Sequence, residues 1–196
     1  MIELVRIDYN YIDVLRKVDS KVQSNSQSQN KDTKPFLGIL FALKNNEEIE
    51  YFVPLSSPKE KHLTMPNSAD FHKIYNKKGR LIAVLNFNNM VPTTARLYNT
   101  INISTDKDKI ILHDEYVFCR DRETILKNKA EKLYERYKNN QLTEKEKNRT
   151  CDFFLLEKEL KNYLYKIESK TSSSDQLLIK LAQANKEKSN QKEKEK

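Results

Sequence analysis

The chain reads as an α+β protein, and three features of its sequence lead there. Between residues 36 and 101, short runs rich in β-branched and aromatic residues alternate with Asn, Gly and Pro, the pattern of a mostly antiparallel sheet joined by tight turns. Clear apolar stripes at helical spacing come only after residue 120, and one capped helix stands ahead of the sheet. Strands followed by helices favour a segregated architecture over alternating βαβ units.

Met1 to Arg6 predicts a short first strand. Asp8 or Asn10 can then cap a helix that carries Tyr11, Leu15, Val18 and Val22 on one face. The stretch SKVQSNSQSQNKDTK has almost nothing to bury and is expected to be a mobile surface loop ending at Lys34. FLGILFAL and EIEYFVP flank KNNEE, where Asn45 and Asn46 accept positive φ at low cost, so a hairpin is expected. FHKIYN, a turn at NKKG containing Gly79, and RLIAVLNF follow, the last apolar enough for a central strand.

After a turn at Val91 and Pro92, TTARLYNTINI alternates, with Ala95, Leu97, Asn99 and Ile101 on one face and Arg96, Tyr98 and Thr100 on the other. That period predicts a strand. Lys109 to Leu112 is expected to be a short strand, and Tyr116 onward the start of a helix. Leu126, Ala130, Leu133 and Tyr137 mark one late helix; Leu156, Leu160, Tyr163 and Ile167 mark another, capped by Asp152 after the polar link NNQLTEKEKNRT. Residues 1–170 are expected to form one domain and residues 171–196 a lysine-rich tail whose last eleven residues are disordered.

Composition narrows the function. With 37% hydrophobic and 33% charged residues, the 196-residue chain can bury one core, and its longest apolar runs fall far short of the roughly 20 residues that cross a bilayer. The N-terminus lacks the basic start and greasy middle of a secretion signal, so a cytoplasmic protein without a membrane partner is expected. Cys119 and Cys151 form no C-x-x-C pair, and with three scattered histidines they make no zinc site of usual spacing; buried free thiols are expected. Only two glycines occur, which excludes the glycine-rich phosphate loops of nucleotide-cofactor folds, and no cofactor is expected. The net charge of +8 favours polyanionic partners. Residues 170–196 hold seven lysines against four acids, so +5 stays with the rest.

The stretch YFVPLSSPKEKHLTM gathers Ser56, Ser57, Lys59, Lys61 and His62 directly after a strand-like run. A hydrolase serine needs a histidine and a carboxylate to orient it, and no G-x-S-x-G elbow exists here. Two hydroxyls with nearby ammonium groups instead suit a phosphate, donating to its oxygens and neutralising charge that grows in a transition state. If the phosphate is an RNA phosphodiester, the neighbouring 2'-hydroxyl is the nucleophile and no metal is needed. A lysine acting as base has its pKa brought down from about 10.4 by burial or by a second cation such as Lys34 or Lys61. The competing reading is ordinary turn chemistry followed by solvated charge.

VPLSSPKEKH also resembles the P-L-[ST]-S-P-K segment of the ToxN/AbiQ endoribonucleases, toxins of type III toxin–antitoxin and phage abortive-infection systems. NYIDVLRKVDSKV, KPFLGILFAL, LNFNNMVP and CDFFLLEKELKNYL fall in the same order, so the resemblance covers roughly Met1 to Ile167. It implies a compact, twisted antiparallel sheet with peripheral helices, related to the MazF, Kid and CcdB toxins. It implies metal-independent cleavage of A-rich RNA, leaving a 2',3'-cyclic phosphate and a 5'-hydroxyl. It implies, as partner, a repetitive small RNA antitoxin of pseudoknots that inhibits the toxin, with an RNA-mediated oligomer as a possible form.

By position, Ser56, Ser57 and Lys59 fall on the motif's catalytic side chains, Tyr11 on a helix tyrosine, and Lys34 on a basic residue near the scissile phosphate. A tyrosine that some relatives place four residues before that basic position is replaced by Asn30. Phe118 with Arg120 is a candidate for base stacking instead, against a reading of Phe118 as core, and Lys61 and His62 are further RNA contacts. The rival from another class is a non-catalytic basic RNA-binding module.

Overall fold

The computed structural model describes residues 2–24, 38–43, 46–106 and 109–169, with the backbone alone at 38–43 and 46–48. β1 (Val5–Ile7) pairs antiparallel with β7 (Tyr98–Thr100), Arg6 opposite Asn99, in a small sheet of its own. Between them in the chain lies the main sheet, in the order β2-β3-β5-β4, with β6 also on β3.

β2 (Gly38–Leu43) and β3 (Asn46–Ser56) form the expected hairpin, Gly38 opposite Pro54 and Phe41 opposite Tyr51. β3 is long enough to change partners. Its middle also pairs with β6 (Val91–Thr93), Tyr51 opposite Pro92, and its end pairs with β5 (Leu81–Asn86), Ser56 opposite Val84. Covered along both edges, Tyr51, Phe52 and Val53 are fully buried. β4 (Phe71–Tyr75) completes the sheet against β5, so RLIAVLNF is an interior strand as its apolar run predicts. The β4–β5 turn closes on Gly79, whose φ of +74° needs glycine and whose N–H reaches Asn76 O at 2.9 Å. All pairings are antiparallel and the sheets do not close into a barrel, in keeping with the α+β expectation.

α1 (Tyr9–Val18) starts at Asp8, whose carboxylate accepts the Tyr11 N–H at 2.8 Å; Asn10 lies inside the helix. Its buried face is Tyr11, Ile12 and Leu15. Val18 is 40% exposed, and Val22 is buried only after the helix has stopped at the extended Asp19, so the expected stripe is two residues shorter than its period suggested.

Three expectations fail for local reasons. TTARLYNTINI is not one strand: the N–H of Leu97 turns back to Thr94 O at 2.9 Å, a 3-10 turn occupies Ala95–Leu97, and only Tyr98–Thr100 pairs. Lys109–Leu112 is helical, as the first turn of α3 (Lys109–Arg120). Leu112, Glu115 and Cys119 form its buried face while Ile110 and Ile111 are exposed, so a β-branched pair imitated a strand and a buried glutamate hid the helical period. The polar link contains α5 (Glu144–Arg149), nucleated by a capping box in which Thr143 and Glu146 satisfy each other's backbone.

α2 (Lys61–Thr64) is a single turn after β3. α4 (Glu123–Lys138) buries Leu126, Ala130 and Leu133 as expected. Asp152 accepts the Leu155 N–H at 3.0 Å, capping the helix that begins at residue 153. The chain divides into a unit of Met1–Glu157 and another of Lys158–Lys196. Of the second, residues 158–169 are helical; Leu160 is buried, Tyr163 half-buried and Ile167 exposed. The tail from 171 lies outside the described residues. Among them, no helix is long and apolar enough to cross a membrane.

Candidate active site

The site forms where β3 and β5 end and β4 begins. Ser56 is the last residue of β3, and Pro58, which has no N–H to give a ladder, takes the chain out of the sheet toward α2. Ser56 faces Val84, which makes Asn86 its diagonal neighbour on the next strand. Asn86 Nδ2 accordingly donates to Ser56 Oγ at 3.1 Å, and that hydroxyl donates to Gln23 Oε1 at 2.9 Å. Gln23 is itself held by Asn89 (3.3 Å), and Asn89 by the carbonyl of Lys21 (2.9 Å). The Ser56 hydroxyl therefore has one proton given and one lone pair filled.

Ser57 is different. It is exposed, and among the described residues its hydroxyl forms no hydrogen bond. Lys59 and Lys61 are also exposed. His62 is buried beneath them, its ring 5.3 Å from that of Phe71. Its Nδ1 accepts the Lys59 N–H at 3.0 Å, while the backbone N–H of His62 donates to Lys59 O at 2.8 Å. Burial, followed by the charges of Lys61, Lys59 and Lys73, lowers the His62 pKa. The imidazole is thus neutral at pH 7 with its proton on Nε2, a hydrogen-bond donor and not a cation.

These groups line one cavity of about 490 Å³, whose far wall contains Asn88, Asp70 and Arg149. Asp70 is the one carboxylate in that lining, and it is paired with Arg149. Five of the nine residues singled out from the sequence, Ser56, Ser57, Lys59, Lys61 and His62, therefore meet in a cationic depression.

Of the other four, the three among the described residues do not join them. Tyr11 is fully buried and its hydroxyl proton goes to Pro92 O at 2.7 Å, tying α1 to β6, so it does not line the cavity. Lys34 lies outside the described residues. Phe118 is half-buried in a separate depression of about 280 Å³, with the Arg122 guanidinium 4.0 Å from its ring centre and His72 at 6.0 Å. Arg122, not Arg120, is its cationic partner. Arg120 pairs with Asp121 at 3.0 Å and stands 5.9 Å from the Tyr116 ring centre. Sequence reasoning in turn missed Gln23, Asn86, Asn89 and Arg149.

Comparisons with known proteins bear on the family and the fold. A family model described as "Toxin ToxN, type III toxin-antitoxin system" matches residues 3–161. The endoribonuclease ToxN of Bacillus thuringiensis subsp. kurstaki is 32% identical over 133 residues, 65% of this chain and 64% of that protein, so the match spans a little under two thirds of the curated relative. A solved structure of a type III toxin–antitoxin system, in which a non-coding RNA pseudoknot selectively inhibits the toxin, is 28% identical with a TM-score of 0.68, covering 83% of this chain and 97% of that one. AbiQ, a lactococcal anti-phage endoribonuclease of a type III system, gives a TM-score of 0.69 at 20% identity, covering 84% of this chain and 99% of its own. A third structure, of a bacterial antiviral system regulated by a processed non-coding RNA, gives 0.67 at 18%, covering 82% and 98%. At these last two identities the likeness is one of fold, and this chain is distinct from AbiQ.

Proposed function

Because the chain belongs to the ToxN family of toxins from type III toxin–antitoxin systems, we propose that it is an endoribonuclease that cuts A-rich RNA by internal transesterification and acts in abortive infection by phage. The 2'-oxygen attacks the adjacent phosphorus, the P–O5' bond breaks, and a 2',3'-cyclic phosphate and a 5'-hydroxyl result. The proton of the 2'-hydroxyl leaves to a base, for which Lys34 and Lys59 are the candidates, and the departing 5'-oxygen takes up a proton. Since the substrate carries its own nucleophile, the chemistry is independent of metal.

In this reading Ser57 and Lys59 donate to the non-bridging oxygens as charge builds on them. Ser56, fixed by Gln23 and Asn86, shapes the bend that presents them. Lys61 and the Nε2–H of His62 extend the contact along the backbone, and Phe118, with Arg122 over its ring, meets unpaired bases elsewhere on the strand. The partner is a small RNA antitoxin of pseudoknot repeats that occupies the same cationic surface, as the pseudoknot of the 28%-identical neighbour inhibits its toxin. Residues 1–170 form the toxin domain, and the protein works in the cytoplasm.

The observation that carries the proposal is the single cavity uniting Lys59, Lys61 and a Ser57 hydroxyl that is unpaired among the described residues, at the end of β3. Incubating purified protein with A-rich RNA in EDTA tests it. Fragments with cyclic-phosphate ends are expected; RNA left intact but shifted in a gel would favour the non-catalytic RNA-binding module.

A further inference from the structure

Arg149 lines the cavity that holds Ser57 and Lys59, although it comes from α5, far along the chain. Several constraints fix it there. Its Nε donates to Oδ2 of Asp70, whose side chain is only 4% exposed. The other Asp70 oxygen accepts from Ser68 Oγ at 2.7 Å, so the carboxylate cannot turn away.

The backbone is stapled as well. Arg149 O accepts from Asn88 Nδ2 at 2.8 Å, and Asn88 O accepts the Cys151 N–H at 2.8 Å. Asn88 belongs to the 3-10 turn Phe87–Asn89 that ends β5, so Arg149 is locked to the same strand end that carries Asn86. Behind it, Arg136 grips Glu146 through two bonds of 2.8 and 2.7 Å, which helps hold the Glu146 carboxyl down at about 2.

All of this uses one of the five guanidinium N–H groups. Among the described residues, the Nη atoms of Arg149 donate to nothing, and its side chain is 49% exposed. A guanidinium held by Nε alone presents a planar fork matched to two oxygens of a phosphate. Among the described residues, the one acid in the cavity lining is already paired with it through Nε, and the fork engages no anion.

We infer that Arg149 is a phosphate-binding residue of the RNA site, gripping two non-bridging oxygens of one backbone phosphate with its Nη fork, and that Asp70 is the positioning residue that aims it. This rests on the endoribonuclease reading and adds to it a contact that the serine and lysine cluster does not supply.

The test is RNA binding across a salt titration, with A-rich single-stranded RNA and full-length protein carrying Ser57→Ala to prevent cleavage. Adding Arg149→Ala should weaken binding about 10- to 100-fold and reduce the slope of log K against log salt by about 0.7, one phosphate on a single strand. Arg149→Lys should keep most of the slope but lose part of the affinity, because a point charge cannot bind two oxygens in a fork. Since Arg149→Ala strands a buried carboxylate, the paired change Asp70→Asn with Arg149→Gln, which keeps the internal hydrogen bond and removes the fork, provides a folded control and should show the same losses. Unchanged affinity and slope in that folded pair overturns the inference while leaving the endoribonuclease reading intact. If the wild-type protein neither cuts nor binds the RNA, that reading falls and this one with it.

Discussion

His62 is joined to the backbone of Lys59 twice, once by its ring and once by its main chain: His62 Nδ1 accepts the Lys59 N–H at 3.0 Å, and Lys59 O accepts the backbone N–H of His62 at 2.8 Å. A histidine so placed holds the serine and lysine bend in shape from beneath. With Nδ1 occupied as an acceptor and its pKa lowered by burial, it cannot serve as the base that accepts the 2'-hydroxyl proton through that nitrogen.

His62→Ala removes the acceptor and leaves the Lys59 N–H without its partner, at a cost of about 1–3 kcal/mol in urea unfolding. His62→Asn, whose Oδ1 can take the place of Nδ1, should recover most of that stability and of the cleavage rate. Equal loss in both variants would show that the bond to Nδ1 does not matter.

The adjacent serines separate by their partners. Ser57→Ala and Lys59→Ala should each lower the cleavage rate about 100- to 1000-fold with the melting temperature unchanged. Ser56→Ala strands both Gln23 and Asn86 and should cost about 1–3 kcal/mol of stability, read in chemical denaturation. A folded Ser57→Ala protein with full activity would remove the serine from the site.

Tyr11→Phe deletes the buried bond to Pro92 O. A loss of about 1–3 kcal/mol with kcat preserved is expected, since the hydroxyl packs α1 onto β6. A fall in kcat at unchanged stability would return Tyr11 to the chemistry.

Stability should fall as pH drops below 6.5. His72 is lowered to about 4, first by burial and then by Lys129 and Arg122, with Lys129 Nζ 3.3 Å from its Nδ1. Between the unfolded value of 6.5 and the folded value of about 4, the unfolded chain binds the extra proton, so stability rises with pH across that window and levels off above it. His62 acts in the same direction. His72→Gln should lose less stability than the wild type between pH 7.5 and pH 4.5 in thermal melts; identical losses would contradict the assignment.

Much of this was legible in the residues. The interior place of RLIAVLNF follows from an apolar run with no strand breaker, and the late helices from their stripes. Ser56, Ser57, Lys59, Lys61 and His62 were readable as a group because they are neighbours in sequence. Gln23, Asn86 and Arg149 were not, because only the folding of the chain, strand register and the docking of α5 among it, brings them to one cavity with Ser56, and an arginine after EKEKN looks like solvated surface. Lys109–Leu112 misled because a β-branched pair can sit on the exposed side of a helix as readily as in a strand. Phe118 is paired with Arg122, which lies past the end of α3 in the turn before α4, while Arg120 pairs with Asp121, an arrangement set by where the helix stops.

The depression draws its walls from positions 23, 56, 86 and 149, the last stapled through Asn88. A polypeptide emerging from the ribosome therefore lacks a complete pocket long after its sheet strands are available. At about 5–20 residues per second, the interval between Asn86 and Arg149 is roughly 3–13 s of synthesis. For the RNA cleavage proposed above, the order of the chain's parts delays full activity until Arg149 has been made and docked.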